Sequence, residues 1–245
     1  MTDDEKLLIK RLGELSSRAY NRGIPAYSGF LTLHEQDALI RSKPASPFTL
    51  YGGYESAERR LACFGEDAGI FAPVSLLCIA PRAPKFAQKL THRDYLGSLM
   101  GLGIKREVLG DIVISGEEAY LFCLSSIAAY IEETLTTVSR TEVTVTAADA
   151  LPEGIGGLPE KSLIVVASER LDAIVAAVYK MSRARSQKLF STEKVFAQSR
   201  LITSTSYEPH AGEIISVRGY GRFIYESVER ETKKGRLRCA VRIYK

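Results

Sequence analysis

The chain of 245 residues has no tryptophan, only three histidines and only four cysteines. His34, His92 and His210 are too scattered to support a Ser–His–Asp or Cys–His set. Cys63, Cys78, Cys123 and Cys239 form no CxxC pair, and none has a histidine at metal-ligand spacing. They read as reduced thiols used as small apolar side chains, and no metal or cofactor is called for. No apolar run approaches the roughly twenty residues of a membrane span. The start, MTDDEKLLIKRL, is acidic and then amphipathic and lacks the apolar stretch of a signal peptide. The expectation is a monomeric cytoplasmic protein.

Apolar residues make up 45% of the chain and charged residues of both signs 25%, a balance that builds cores and argues against wholesale disorder. The net charge of +4 is uninformative until it is divided. From Arg170 onward there are 16 Lys and Arg against 7 Asp and Glu, a net of +9, whereas the first 169 residues carry 17 against 22, a net of −5. A polarised molecule with a basic C-terminal third attracts polyanions, nucleic acid foremost.

The length predicts two or three domains. In the first, residues 1–72, Leu7, Leu8, Arg11, Leu12, Leu15 and Ala19 give residues 3–22 a helical stripe, and Asp3 and Asp4 favour its N-terminal end. Gly23-Ile24-Pro25 stops it. Thr32 and Glu35 write a capping box for a second helix ending before Pro44. Residues 48–51 read as a strand before the turn at Gly52-Gly53, and residues 55–63 as a helix. The expectation is an α-rich domain.

Residues 73–160 have a clearer rhythm. Strand 74–80, helix 91–100, strand 111–115, a turn at Gly116-Glu117, strand 119–124, helix 126–135 and strand 141–146 follow in the order β-α-β-β-α-β, a ferredoxin-like plait shared by RNA-recognition domains. Fold alone decides no function. A stacking sheet needs exposed aromatics, and the central strands offer Tyr120 and Phe122 on one face. Residues 148–161 are rich in Gly and Pro and read as a linker. Residues 162–167 are a strand that closes the middle domain or crosses to the next.

From Arg170 two helices are predicted: one opening at Arg170-Leu171-Asp172, the other, residues 183–190, capped by Ser182, with Ala184 and Leu189 as its core positions. Strands follow at 194–197 and within GEIISVRGYGRF (212–223), and the tail 236–244 alternates basic and apolar. This arrangement resembles the RNA-binding domain of ribosomal protein S-four, the αL motif. GEIISVRGYGRF and the middle segment HRDYLGSLMGLGIKREVLGDI (92–112) resemble the YlmH family of bacterial proteins. One segment departs from the pattern: Glu193–Gln198 lacks the usual turn glycine and has Gln198 where Asn is common. The expected architecture is α+β: an N-terminal α-rich domain, a ferredoxin-like middle domain and, over 168–245, an S-four-like domain.

The resemblance implies an RNA-binding protein, with rRNA and tRNA as partners on the large ribosomal subunit in quality control of stalled peptidyl-tRNA. Arg183, Arg185, Lys188, Lys194, Arg200, Arg218 and Arg222 are the candidate phosphate contacts. His92, Arg93, Lys105 and Arg106 are candidates within the middle signature. Glycines 219 and 221 would allow close backbone approach to RNA.

Catalytic motifs are few. His92-Arg93-Asp94 resembles a kinase catalytic loop but has Leu99 where a metal-binding Asn is needed. Arg170-Leu171-Asp172 resembles the catalytic triplet of pseudouridine synthases but opens the RNA-binding segment instead of following it. A non-catalytic protein is expected. An RNA-modifying enzyme with its site in residues 1–160 and a cell-division scaffold remain as alternatives.

Overall fold

The computed structural model describes residues 3–86, 88–233 and 235–244. Among them are six α-helices and three antiparallel sheets, an α+β architecture. The chain divides into two compact units, Met1–Gly157 and Leu158–Lys245.

The first unit opens with α1 (Asp3–Arg22), β1 (Ala26–Leu31), α2 (Leu33–Ser42), β2 (Phe48–Tyr51) and β3 (Arg60–Phe64). The capping box forms: the Thr32 amide donates to the Glu35 carboxylate at 2.6 Å and the Glu35 amide to the Thr32 hydroxyl at 3.3 Å. Where a helix was expected over 55–63, the chain turns and then enters β3, the central strand of a sheet ordered β1–β3–β2. Leu61, Ala62, Cys63 and Phe64 are all fully buried, because both faces of β3 are covered. A short run that is apolar throughout carries no alternation, so periodicity cannot tell a doubly covered strand from a buried helix. The segment is therefore a mixed layer, with α1 and α2 packed beside a three-stranded sheet, and not simply α-rich.

The chain continues with β4 (Val74–Pro81), α3 (His92–Gly101), β5 (Leu109–Ser115), β6 (Glu118–Leu124), α4 (Ser125–Thr134), β7 (Thr137–Val138) and β8 (Thr141–Ala148). The sheet order is β5–β6–β4–β8–β7. Ser115 pairs Glu118 across the two-residue Gly116-Glu117 turn, with Gly116 at φ 61° as such a turn demands. One face of this sheet packs on α3 and α4 through Leu77, Ile79, Leu121 and Cys123 with Tyr95, Leu99 and Ile131. The other face, bearing Phe122, packs on Phe30, Leu61 and Cys63 of the three-stranded layer. Phe122 is 3% exposed, and the Tyr54 ring stacks on it at 4.9 Å.

The second unit consists of β9 (Lys161–Val166), α5 (Leu171–Val178), α6 (Arg183–Ser191), β10 (Val195–Ala197), β11 (Arg200–Leu201), β12 (Ile214–Val217), β13 (Gly221–Glu231) and β14 (Leu237–Ile243). Its six strands run β11–β10–β12–β13–β14–β9. The 162–167 strand thus does not close the plait: it crosses and pairs β14 at the edge of the second sheet. Ala184 is exposed, and α6 turns Ser186, Leu189 and Phe190 inward instead. The buried serine is tolerated because its hydroxyl donates to the Asp172 carbonyl at 2.8 Å.

Candidate nucleic-acid interface

The joint between α5 and α6 is made by a fully buried carboxylate, Asp172, in the first turn of α5. Arg183 forks onto it, Nε at 3.1 Å from Oδ2 and a terminal nitrogen at 3.2 Å from Oδ1. Arg170 Nε donates to Oδ1 at 3.2 Å and Gln187 to Oδ2 at 2.9 Å. Burial pushes the Asp172 carboxyl up, but the hydrogen bonds from Arg183, Gln187 and Arg170 outweigh it and hold its pKa below the usual value. Arg183 therefore sets the angle between two helices and still leaves 46% of its side chain exposed.

One turn along α6, the other cations point away from this joint. Arg185, Lys188, Lys194 and Arg218 are exposed, and among the described residues none of the four has an ion pair. Arg185 and Lys188 share a face at i, i+3 spacing. The Arg218 amide donates to the Lys194 carbonyl at 2.9 Å, bringing the turn after β12 beside the end of α6. From that turn Tyr220 meets Arg185, whose Nε donates to the phenol oxygen at 3.1 Å with its guanidinium 5.7 Å from the ring centre. Arg218 lies 4.6 Å over Phe196 and Arg222 lies 4.5 Å over Tyr244. The result is a strip in which three guanidiniums are held on aromatic faces, a geometry that pre-orders them.

Arg200 stands apart, at the other end of β10, donating to the Tyr207 hydroxyl at 3.3 Å, itself bonded to the buried Glu213 at 2.8 Å. Between Ala197 and Arg200 the hairpin loop is Gln198-Ser199, at φ 48° and 62°. Glu193, which stands where the family pattern has its turn glycine, lies at φ 54°, so the altered segment keeps a left-handed backbone without the glycine that normally relieves it.

The middle-segment candidates are a different case. Arg93 and Lys105 are exposed. Arg106 is half-buried, and one terminal nitrogen donates to the carbonyls of Leu109 at 2.7 Å and Gly110 at 3.0 Å. Its neighbour Arg59 donates to the carbonyls of Leu109 at 3.0 Å, Phe30 at 2.7 Å and Arg106 at 3.1 Å. Asp111 completes the joint, accepting from the Tyr54 hydroxyl at 2.9 Å and the amides of Glu58 at 2.7 Å and Arg59 at 3.2 Å. Burial first, and then Arg59, lowers the Arg106 pKa to about 10, against the pull of Asp111. Desolvation and the Arg106 charge hold His92 below the ordinary histidine value, despite Asp111. So Arg59 ties β1 to β5, Arg106 is held on the carbonyls at the start of β5, and His92 is biased towards the neutral form.

Tyr120 and Phe122 do not offer a stacking surface. Tyr120 is 8% exposed and its hydroxyl donates to Glu118, and Phe122 lies under Tyr54 and Gly53. A cavity of about 650 Å³ beside them is lined by Tyr51, Tyr54, Glu55, Asp149 and Gly156 among others, with no basic side chain in its wall.

Sequence reading passed over the aromatic halves of the strip, Phe196, Tyr220 and Tyr244. The visible signal was the run Arg218-Gly-Tyr220-Gly-Arg222, basic and aromatic residues alternating with glycines. Nothing local marks Asp172 as a joint, since its partner Arg183 lies eleven residues on.

Residues 74–151, from β4 to just past β8, match the family described as "Putative RNA-binding domain in YlmH". Over 191 residues the chain is 31% identical to the "Ribosome-associated protein quality control protein P2" of Bacillus subtilis strain 168, an alignment taking in 76% of this chain and 74% of that one. The chain belongs to the YlmH family. In fold it is similar to the "Cell division protein ylmH from Streptococcus pneumoniae", with a TM-score of 0.51 at 16% identity, covering 61% of this chain and 93% of that one. In this YlmH-family chain, the segment matched by the family lies wholly in the first unit, whereas the cationic strip lies in the second.

Proposed function

We propose that this YlmH-family protein is a non-catalytic holder of structured RNA, and that residues 158–245 are its principal grip. The observation that carries the reading is the strip of exposed cations Arg185, Lys188, Lys194 and Arg218, without ion pairs among the described residues, two of which, Arg185 and Arg218, are ordered by aromatic partners. Exposed cations on a rigid element suit phosphates on a folded RNA surface, where affinity comes from charge and shape more than from base reading. The paired helices α5 and α6 with the following sheet support an S-four-like αL domain. The strand order β5–β6–β4–β8 supports a ferredoxin-like plait in the middle segment. That plait reaches RNA through the exposed Arg93 and Lys105, because its second face is covered.

The name of the Bacillus relative supports a ribosome-associated role in protein quality control; within that role the RNA we propose is rRNA and tRNA on the large subunit, at stalled peptidyl-tRNA. The test is co-sedimentation with purified large subunits. Arg185→Glu with Lys188→Glu, both clear of the Asp172 joint, is expected to abolish co-sedimentation while leaving the circular dichroism spectrum unchanged. Undiminished co-sedimentation of that folded variant overturns the reading.

A further inference from the structure

The first unit holds a cavity of the opposite sign to the strip. The space of about 650 Å³ beside Phe122 has the size of a ligand pocket. Val74 and Leu76 of β4, with Leu151 and Ile155, give it apolar wall, and Tyr51 and Tyr54 give it rings. Glu55 and Asp149 are the charged residues on that wall. Both are exposed, and among the described residues neither side chain has an ion pair or a hydrogen bond. The Arg60 guanidinium nearby is held on main-chain carbonyls, that of Ala57 at 2.7 Å and that of Glu55 at 3.2 Å. Ser56 keeps the cavity in shape: its hydroxyl and amide donate to the Gly156 carbonyl at 2.9 and 3.3 Å, pinning residues 149–157 to the turn that carries Glu55.

Such a lining repels phosphate and attracts a cation with an apolar stem. Ring faces draw a guanidinium, carboxylates fork onto it, and apolar wall takes the methylenes behind it. An arginine side chain has all three parts. Beside the cavity the sheet also has an open edge. β7 pairs β8 only at Thr141 and Glu142, and the Val143 amide adds one more bond, to the Thr136 carbonyl at 2.9 Å. From there to Ala148 no strand pairs with this edge of β8 among the described residues. By the alternation of an antiparallel ladder, the main-chain groups that face outward there are those of Val145 and Ala147. Ala147 is exposed, and it and Ala148 reach the cavity wall.

We infer that the free edge of β8 and the cavity beside it form a docking site for an extended, arginine-bearing segment of a protein partner. The segment adds as a strand along Val145 and Ala147, and its arginine enters the cavity, against the Tyr51 ring and the carboxylates of Glu55 and Asp149. Thr146 and Ala148 share the sheet face of Leu76 and Phe122. On a strand added about 4.8 Å away, the side chains of that face therefore stand beside the cavity. Main-chain bonds supply affinity in such a complex, and the pocket selects the side chain. The net charge of −5 over the first 169 residues favours a basic segment and disfavours RNA at this place. The site is independent of the RNA grip proposed for residues 158–245.

The experiment titrates the full chain into a fluorescein-labelled peptide, Thr-Val-Thr-Arg-Thr-Val-Thr, and into its counterparts with Gln or Glu at the centre, and reads anisotropy. The Arg peptide is expected to bind about tenfold more tightly than the Gln peptide, and the Glu peptide not at all. Glu55→Gln with Asp149→Asn, both at exposed positions, should weaken the Arg peptide about tenfold, to the level of the Gln peptide. Hydrogen exchange should show the Val145 and Ala147 amides protected by the Arg peptide and not by a single-stranded oligouridylate. Equal affinities for the three peptides, no binding of the Arg peptide, or undiminished binding by the double variant overturns the site. Protection of those amides by the oligouridylate overturns it as well, by giving the edge to RNA. The grip in residues 158–245 is tested by co-sedimentation and stands or falls apart from these outcomes.

Discussion

Arg183 and Asp172 form a two-pronged ion pair, at 3.1 and 3.2 Å, between the first turns of two adjoining helices. The carboxylate is buried and the guanidinium half-exposed. Arg183 therefore has a role in the fold of the second unit that its neighbours Arg185 and Lys188 do not share, and a loss of binding on mutating it reports on both. Asp172→Asn is expected to destabilise the unit by about 2 kcal/mol, because it leaves Arg170 and Arg183 without their counter-charge at a buried acceptor. Chemical denaturation followed by circular dichroism measures this, and an unchanged midpoint contradicts it.

The same pair predicts a pH dependence. The folded-state pKa of Asp172 lies below its unfolded value, since the hydrogen bonds from Arg183, Gln187 and Arg170 exceed the desolvation that opposes them. Its contribution is fully present above the unfolded value of about 3.9 and is lost as pH falls through the lower, folded value. Acid unfolding of the wild type should show this loss, and Asp172→Asn should flatten it. Parallel acid transitions for the two proteins would exclude the carboxylate as its source.

Phosphate contacts leave a signature in salt. Replacing Arg185 and Lys188 together by Gln should reduce the slope of log affinity against log salt by about two units, with a uniform weakening across RNA sequences. A slope equal to that of the wild type would mean that these side chains are solvated in the complex.

The covered face of the plait can be probed at Gly53. It sits at φ 93°, and an added Cβ would fall 2.3 Å from the Phe122 ring. Gly53→Ala should cost about 2–3 kcal/mol in the first unit. A variant that melts like the wild type would mean that Phe122 is not closed off in solution.

The Gln198-Ser199 turn holds two side-chain-bearing residues in the left-handed region, and the Gln198 side-chain amide oxygen Oε1 is buried without a hydrogen-bond partner among the described residues. Replacing the pair by Asn-Gly, the residues such loops favour, should stabilise the second unit by about 1 kcal/mol. Thermal melts of the two proteins decide it.

Much of this chain is legible along its length. The capping box of Thr32 and Glu35, the helix stripe of Leu8, Leu12 and Ala19, the Ser182 cap and the alternation in β8 are local patterns, written by residues a few positions apart, and they place elements reliably. The division of charge at Arg170 is likewise a property of composition, and it pointed to the second unit before any fold was known.

What stayed hidden depends on partners far away in sequence. Whether Leu61–Phe64 is helix or strand depends on β1 and β2, which cover it. Whether Arg106 is a surface cation or a held one depends on the burial around it and on Arg59, and whether Phe122 meets RNA or protein depends on Tyr54, sixty-eight positions earlier. Composition locates positive charge, but it does not say which guanidiniums are already held. Only the packing separates Arg183, bound to Asp172, from Arg185, poised on Tyr220, because hydrogen-bond geometry is settled by what the folded chain brings within about 3 Å.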